Sequence, residues 1–182
     1  MTFSLGTLEF TAATSRPDLL AHPVHTALAD PGWPWQPDAV GVTEIDPGLA
    51  DTAAFCEQYQ VSPDESANCV VITGRRDGAA RFAACVVLAT TRADVNNVAR
   101  RVLDVRKASF APMDEAVALT GMEYGGITPI GLPADWPILV DAAVAAAPLV
   151  VVGSGLRRSK LALAGKTLAD LAGATVLDGL GR

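Results

Sequence analysis

The sequence predicts an α+β domain, a mixed sheet or partly closed barrel with helices packed on its outside. Hairpin-like runs and helical periodicities alternate irregularly along 182 residues, without the steady βαβ rhythm of a doubly wound sheet. Half of the residues are hydrophobic but only 5% are aromatic, so alanine, valine and other small or β-branched side chains are expected to build the core. The 16 glycines and 12 prolines are spread along the chain as punctuation rather than gathered into a tract. One domain of this size buries roughly two-thirds to three-quarters of its unfolded surface, and residues 1–182 are read as a single domain.

The elements follow in order. Thr7 to Thr11 alternates weakly and reads as a short strand. Pro17 to Ala29 reads as a helix, with Ser15 as N-cap and Asp30-Pro31 as its stop. Gly32-Trp33-Pro34-Trp35-Gln36-Pro37 reads as a rigid loop, whose tryptophans either pack it onto the body or form a binding surface. Val40 to Ile45 is a strand, and Asp46-Pro47 opens a helix to about Tyr59, with Asp46 as the cap. Asn68 to Thr73 and Arg81 to Thr90 flank Asp77-Gly78, a hairpin signal. From Thr91 or Arg92, Val95, Val98, Ala99, Val102 and Leu103 recur at helical spacing. Lys107 to Phe110 is a short strand, and Pro112 to Leu119 a helix closed near Gly121. Strands are expected at Ile138 to Val140, Leu149 to Val152, Ser159 to Leu163 and Thr175 to Leu177, with a helix at Lys166 to Leu171.

The net charge of −6 argues against a general nucleic-acid-backbone binder, DNA included, because phosphate contacts need Lys and Arg. Any nucleic-acid contact must be weak and use a local patch. Arg100, Arg101, Arg106 and Lys107 form one candidate; Arg157, Arg158, Lys160 and Lys166 form another. The alternative is two solvated faces. Cys56, Cys69 and Cys85 lack metal-type spacing, and a hairpin turning at Asp77-Gly78 puts Cys69 and Cys85 on opposite faces, where they cannot bridge. A reducing compartment is expected. The start, MTFSLGTLEF, has no basic n-region or long apolar run, and Ile138 to Gly155 is interrupted by Asp141, Pro148 and Gly153. A cytoplasmic location without membrane contact is the expectation.

Two segments can carry chemistry. Gly121 to Gly131 holds four glycines and Pro129, a composition for an ordered turn. Its backbone N–H groups either hold an anion or a carbonyl oxygen, as ester hydrolysis requires, or simply make a tight connection. In Val150 to Ser159, a strand runs into Gly153-Ser154-Gly155; the third glycine of a dinucleotide fingerprint is missing, and a strand follows instead of a helix. Nor is Gly153-Ser154-Gly155 a nucleophile elbow. His22 and His25 can share a helix face, but no carboxylate or cysteine of ligand spacing accompanies them, so no metal is expected. Asp114-Glu115 is explained by the helix dipole.

Gly125-Gly126-Ile127-Thr128-Pro129-Ile130-Gly131, preceded by Lys107-Ala108-Ser109-Phe110-Ala111 and followed by Val152-Gly153-Ser154-Gly155, resembles the YbaK/prolyl-tRNA-synthetase-associated editing family. The resemblance runs from about Glu65 to the C-terminus; residues 1–60 match least clearly, and the Trp33–Trp35 loop there is expected to hold specificity. It implies a mixed six- or seven-stranded barrel-like core with helices around it, and removal of wrong amino acids from tRNA, typically tRNA-Pro. It also implies an aminoacyl pocket lined by Gly125, Gly126, Thr128, Pro129 and Gly131, faced by Asp141 and by the turn Gly153, Ser154 and Gly155. Active relatives usually carry a lysine at the start of the hairpin's first strand. Here that place holds Ala67, or Asn68 if the register slips by one residue.

The expected function is therefore aminoacyl-tRNA deacylation without a cofactor. Asn68, Gly125 and Gly126 are the candidate catalytic groups, and misacylated tRNA is the partner. The alternative is a binding module of the same fold, degenerate for want of the lysine, that takes an amino-acid-like ligand, tRNA or a protein. An amine such as Lys107 or Lys160 reaching the space beside Ala67 would favour the enzyme. The oligomeric state is open, a homodimer included.

Overall fold

Strands as uniformly apolar as Val150 to Val152 need cover on both faces; two five-stranded sheets packed over a shared core cover one, and the helix Thr52–Tyr59 covers the other. The computed structural model describes residues 2–33, 35–36 and 39–182. The strands are β1 Thr2–Leu5, β2 Leu8–Ala12, β3 Gly41–Glu44, β4 Ala67–Arg76, β5 Ala79–Leu88, β6 Ala108–Phe110, β7 Ile138–Asp141, β8 Val150–Gly153, β9 Ser159–Leu163 and β10 Ala174–Leu177. The helices are α1 His22–Leu28, α2 Thr52–Tyr59, α3 Arg100–Val102, α4 Met113–Thr120, α5 Ala142–Ala146 and α6 Gly165–Ala169.

One sheet runs β1-β2-β3-β9-β8 and is antiparallel throughout; the other runs β10-β7-β5-β4-β6 and is mixed, with β7 parallel to both β5 and β10. Among the described residues one parallel bridge, Ser66 to Val151, links them. The α+β class with outer helices is as expected. The count of six or seven strands in a barrel-like sheet is corrected: β1 to β3 enlarge one sheet, and one bridge in place of a ladder leaves the two unclosed.

The two-residue period sorts the side chains. Val150, Val152, Leu161 and Leu163 face the shared core with Val86, Ile138 and Val140 from the other sheet. Their neighbours Val151 and Ala162 face outward, onto Phe55 and Cys56 of α2. On the second sheet, Ala83, Cys85, Val87 and Leu139 face outward, against Val95, Ala99 and Leu103. Cys69 packs toward the shared core and Cys85 lies on the opposite face, all three cysteines being free. The hairpin turns at Asp77-Gly78, both residues having positive φ (52° and 84°), as a two-residue primed turn requires.

Three expected helices are shorter. The Pro17 to Ala29 stretch breaks into a 3-10 turn, Pro17–Leu19, and α1, with another 3-10 turn, Ala13–Ser15, just ahead of it. Pro23 lacks an N–H and would clash with the carbonyl four residues back, so a helix can only begin there. Ser15 caps nothing; its hydroxyl donates to the Ala12 carbonyl. Asp46 caps as expected, accepting from Gly48 N–H at 2.8 Å, but it closes only the turn Pro47–Leu49, and α2 starts afresh. The helix expected at Thr91 begins at a π-helical turn, Val95–Ala99, capped by Asp94, and runs into α3. Pro34 and Pro37 of the expected rigid loop lie outside the described residues. No described helix is long and apolar enough to cross a membrane.

Candidate functional site

Where β4 begins, beside the ends of β8 and β9, the chain leaves a cavity of about 280 Å³. Its walls come from Ala50–Thr52 ahead of α2, Ala67–Val71 of β4, Gly153 of β8 and Lys160 of β9. Phe110 and Ala111 after β6, Ala116 of α4, and Tyr124, Gly125 and Ile127 of the glycine loop complete it.

Lys160 is the chemical centre of this space. Strand alternation turns it to the α2 side, and it is only 8% exposed. Its Nζ donates to the Ala50 carbonyl at 2.9 Å and stands 5.2 Å from the centroid of the Phe55 ring. Burial, followed by repulsion from Arg157, pulls its pKa down to about 8, against opposing effects of Asp51 and Cys56. At neutral pH it is still mostly an ammonium, poorly hydrated and facing a cavity. Such a charge acts more strongly on a ligand than a surface lysine does. Ala67 lines the same cavity, so an amine carried by β9 borders the same space as the start of β4.

Asn68 lies beside it. Its Oδ1 accepts from the Thr52 hydroxyl at 2.5 Å, which leaves its amide N–H donors for a ligand. Gly125 lines the cavity with φ at +83°. Gly126 does not: its N–H is committed to the Glu123 carbonyl (2.9 Å) and its carbonyl accepts from Gly155 N–H (2.7 Å). That removes Gly126 as an oxyanion donor and makes it the joint between two turns. A Cβ on Gly153 would stand 2.2 Å from the Gly126 oxygen, so the two turns close only because both positions lack side chains.

The other expected residues lie elsewhere. Thr128 is fully buried, its N–H on the Met122 sulfur and its hydroxyl without a partner among the described residues. Pro129 and Gly131 line a separate groove with Trp33 and Ala27. Asp141 caps α5 through Ala143 N–H (2.9 Å) and accepts from Gly181 N–H (2.8 Å). Ser154 is buried against the Ser159 hydroxyl at 2.7 Å, and Gly155 packs on Ala21 and Val24. His22 and His25 are exposed on α1.

The second basic patch is split: Arg158 and Lys166 are exposed, while Arg157 is half-buried and Lys160 points inward. Lys160 is buried, Arg158 donates to the Asp18 carbonyl, and Lys166 pairs with Asp170. Arg157 holds the cavity together. Its guanidinium donates to the carbonyls of Tyr124 (3.2 Å) and Pro47 (3.1 Å), and stands 3.8 Å from the Asp51 carboxylate. The charge run at Arg157 to Lys160 hid both residues; the strand reading of Ser159 to Leu163, with apolar neighbours on both faces, was the signal that Lys160 points inward.

The aminoacyl-tRNA editing domain family matches the chain over residues 46–171. A candidate trans-editing enzyme for prolyl tRNA synthetase superposes with a TM-score of 0.72 at 23% identity, covering 89% of this chain and 96% of that one. A scaffold protein from a computational epitope-grafting design gives 0.72 at 23% identity, covering 89% and 97%. A protein described only as hypothetical gives 0.67 at 22% identity, covering 78% and 90%. No curated protein matches by sequence.

Proposed function

The chain belongs to the aminoacyl-tRNA editing domain family, and from that premise we propose that it hydrolyses the ester of misacylated tRNA in the Lys160 cavity. The observation that carries the reading is the Lys160 ammonium, buried in the same cavity as Ala67, Asn68 and Gly125. The cavity, at about 280 Å³, falls just below the roughly 300–1,000 Å³ of drug-sized pockets. That suits a small aminoacyl group on its ribose.

In this reaction water attacks the ester carbonyl carbon, and negative charge develops on the carbonyl oxygen. Lys160 and the Asn68 amide stabilise that charge, and Gly125 shapes the wall against which the ester lies. Collapse breaks the bond to the ribose oxygen, which takes one proton of the attacking water and leaves as a free hydroxyl, while the water's other proton passes to solvent and the amino acid departs as its carboxylate. The chemistry needs neither a metal nor an organic cofactor. A cytoplasmic location and weak tRNA contact belong to the same reading. The structural resemblance to a candidate trans-editing enzyme supports tRNA-Pro as the first substrate to try.

The test is deacylation of a panel of mischarged tRNAs, tRNA-Pro carrying alanine or cysteine included. Wild type should hydrolyse at least one, and Lys160→Met should lose about 10²–10³-fold in single-turnover rate, as removal of an oxyanion donor does elsewhere. An intact panel, or full activity in Lys160→Met, would sink the proposal.

A further inference from the structure

Two exposed aromatic side chains stand at the mouth of the Lys160 cavity. Phe110 is 59% exposed and Tyr124 57%, and both line the cavity. The other large apolar side chains left exposed among the described residues, Val102, Met113, Leu119 and Val176, do not line it. The backbones that carry the two rings are held. Phe110 pairs with Ile72 in the sheet and is followed by the Ala111 N–H bond to Val71, at 2.9 Å. The Tyr124 carbonyl accepts from Arg157.

We infer that Phe110 and Tyr124 form the binding site for the unpaired 3′-terminal bases of the tRNA acceptor end, by stacking. The inference rests on the hydrolase reading. An aminoacyl ester seated beside Lys160 carries its ribose and base out through the mouth, where these rings stand. Any base offers a π-face, and rings on a rigid backbone lose little entropy on stacking. Stacking also answers the charge problem. With a net charge of −6 and Lys160 of its second basic cluster buried, the chain offers phosphates little overall attraction. Binding through two rings is little affected by salt.

The experiment titrates the trinucleotide CCA, the sequence that ends tRNA, into wild type, Phe110→Ala, Tyr124→Ala, Tyr124→Phe and the double alanine variant, at low and high salt. Thermal melts check folding, which removal of these exposed rings should leave intact. Each alanine variant should weaken CCA binding about 5- to 150-fold, the range of base–aromatic stacking. Tyr124→Phe should bind as wild type does, and raising salt should change wild-type affinity little. In deacylation, the alanine variants should raise KM for mischarged tRNA. Absent CCA binding to folded wild type overturns the inference, as does unchanged affinity in the double variant. Loss of self-association without loss of CCA binding overturns it too, by assigning the rings to contact with a second copy. Because CCA binding is read without hydrolysis, an inactive protein that still binds CCA through the rings refutes only the hydrolase reading.

Discussion

The Lys160 Nζ donates a 2.9 Å hydrogen bond to the carbonyl oxygen of Ala50. One strand of the first sheet is thereby tied to the segment that leads into α2, and the ammonium is held at a cavity wall that also contains Ala67 and Asn68. Among the described residues one hydrogen bond anchors it, which leaves two of its three donors for a ligand. A buried cation with so little compensation is costly to the fold. Its cost should be visible as a pH dependence.

The ordinary lysine pKa of 10.5 falls to about 8 in the folded chain. Between these values the unfolded chain binds more protons than the folded one, so stability rises with pH across that window; below pH 8 the full penalty of the buried charge applies. The rise should reach about 3 kcal/mol. Urea unfolding from pH 7 to 10.5 should show it in wild type and not in Lys160→Met. Deacylation should move the opposite way, falling as pH rises through about 8, because the cation that faces the oxyanion is lost.

Gly153 and Gly126 should tolerate no side chain. A methyl group on Gly153 meets the Gly126 oxygen at 2.2 Å and the Ile127 oxygen at 2.7 Å, both backbone atoms that cannot rotate away. Gly153→Ala should cost about 1–3 kcal/mol as an overpacking substitution and displace Gly125 from the cavity wall. Urea midpoints read the first effect, and a raised KM for mischarged tRNA the second.

Asp141 should behave as a structural residue. One of its oxygens caps α5 and the other holds Gly181, next to the fully buried Leu180. Asp141→Ala should lower stability by about 2–3 kcal/mol, the sum of a lost cap and a charged hydrogen bond, while kcat/KM stays within about twofold. A large fall in kcat/KM in a fully folded variant would instead place Asp141 in the reaction.

The contrast between Asp141 and Lys160 shows what was legible in the sequence. Local rules read local structure well: Asp77-Gly78 makes its primed turn, Asp46 caps, and Gly121 ends α4 with φ at +66°. They also gave the strands from β4 onward, since each is a short apolar run between breakers. They failed where the deciding partner lies far along the chain. Asp141 follows an apolar strand, as a pocket residue would, but its partners include Gly181, 40 positions away. Lys160 closes a charge run that reads as solvated, yet it bonds to Ala50, 110 positions away. The glycine loop was legible as an ordered turn. That its first half borders the cavity and its second half buttresses α1 depends on Pro23 packing over Gly131, which no local pattern states.

The relation between Ala67 and Lys160 gives the sharpest test. Read from the sequence, Ala67 marks a missing lysine, which Ala67→Lys would supply. With Lys160 already in the cavity, the added ammonium instead meets a like charge in a space of about 280 Å³. Two buried cations disfavour each other's charged form, so Ala67→Lys alone should destabilise the fold and bring no gain in deacylation. In the Lys160→Met background the repulsion is gone and the cavity holds no lysine. There Ala67→Lys should recover part of the lost rate, with its alkaline limb set by the new amine. Single-turnover rates for the four members of this double-mutant cycle decide the matter. Strong positive coupling means that either lysine can serve one site; additive losses mean that Lys160 stabilises the cavity without acting on the ester.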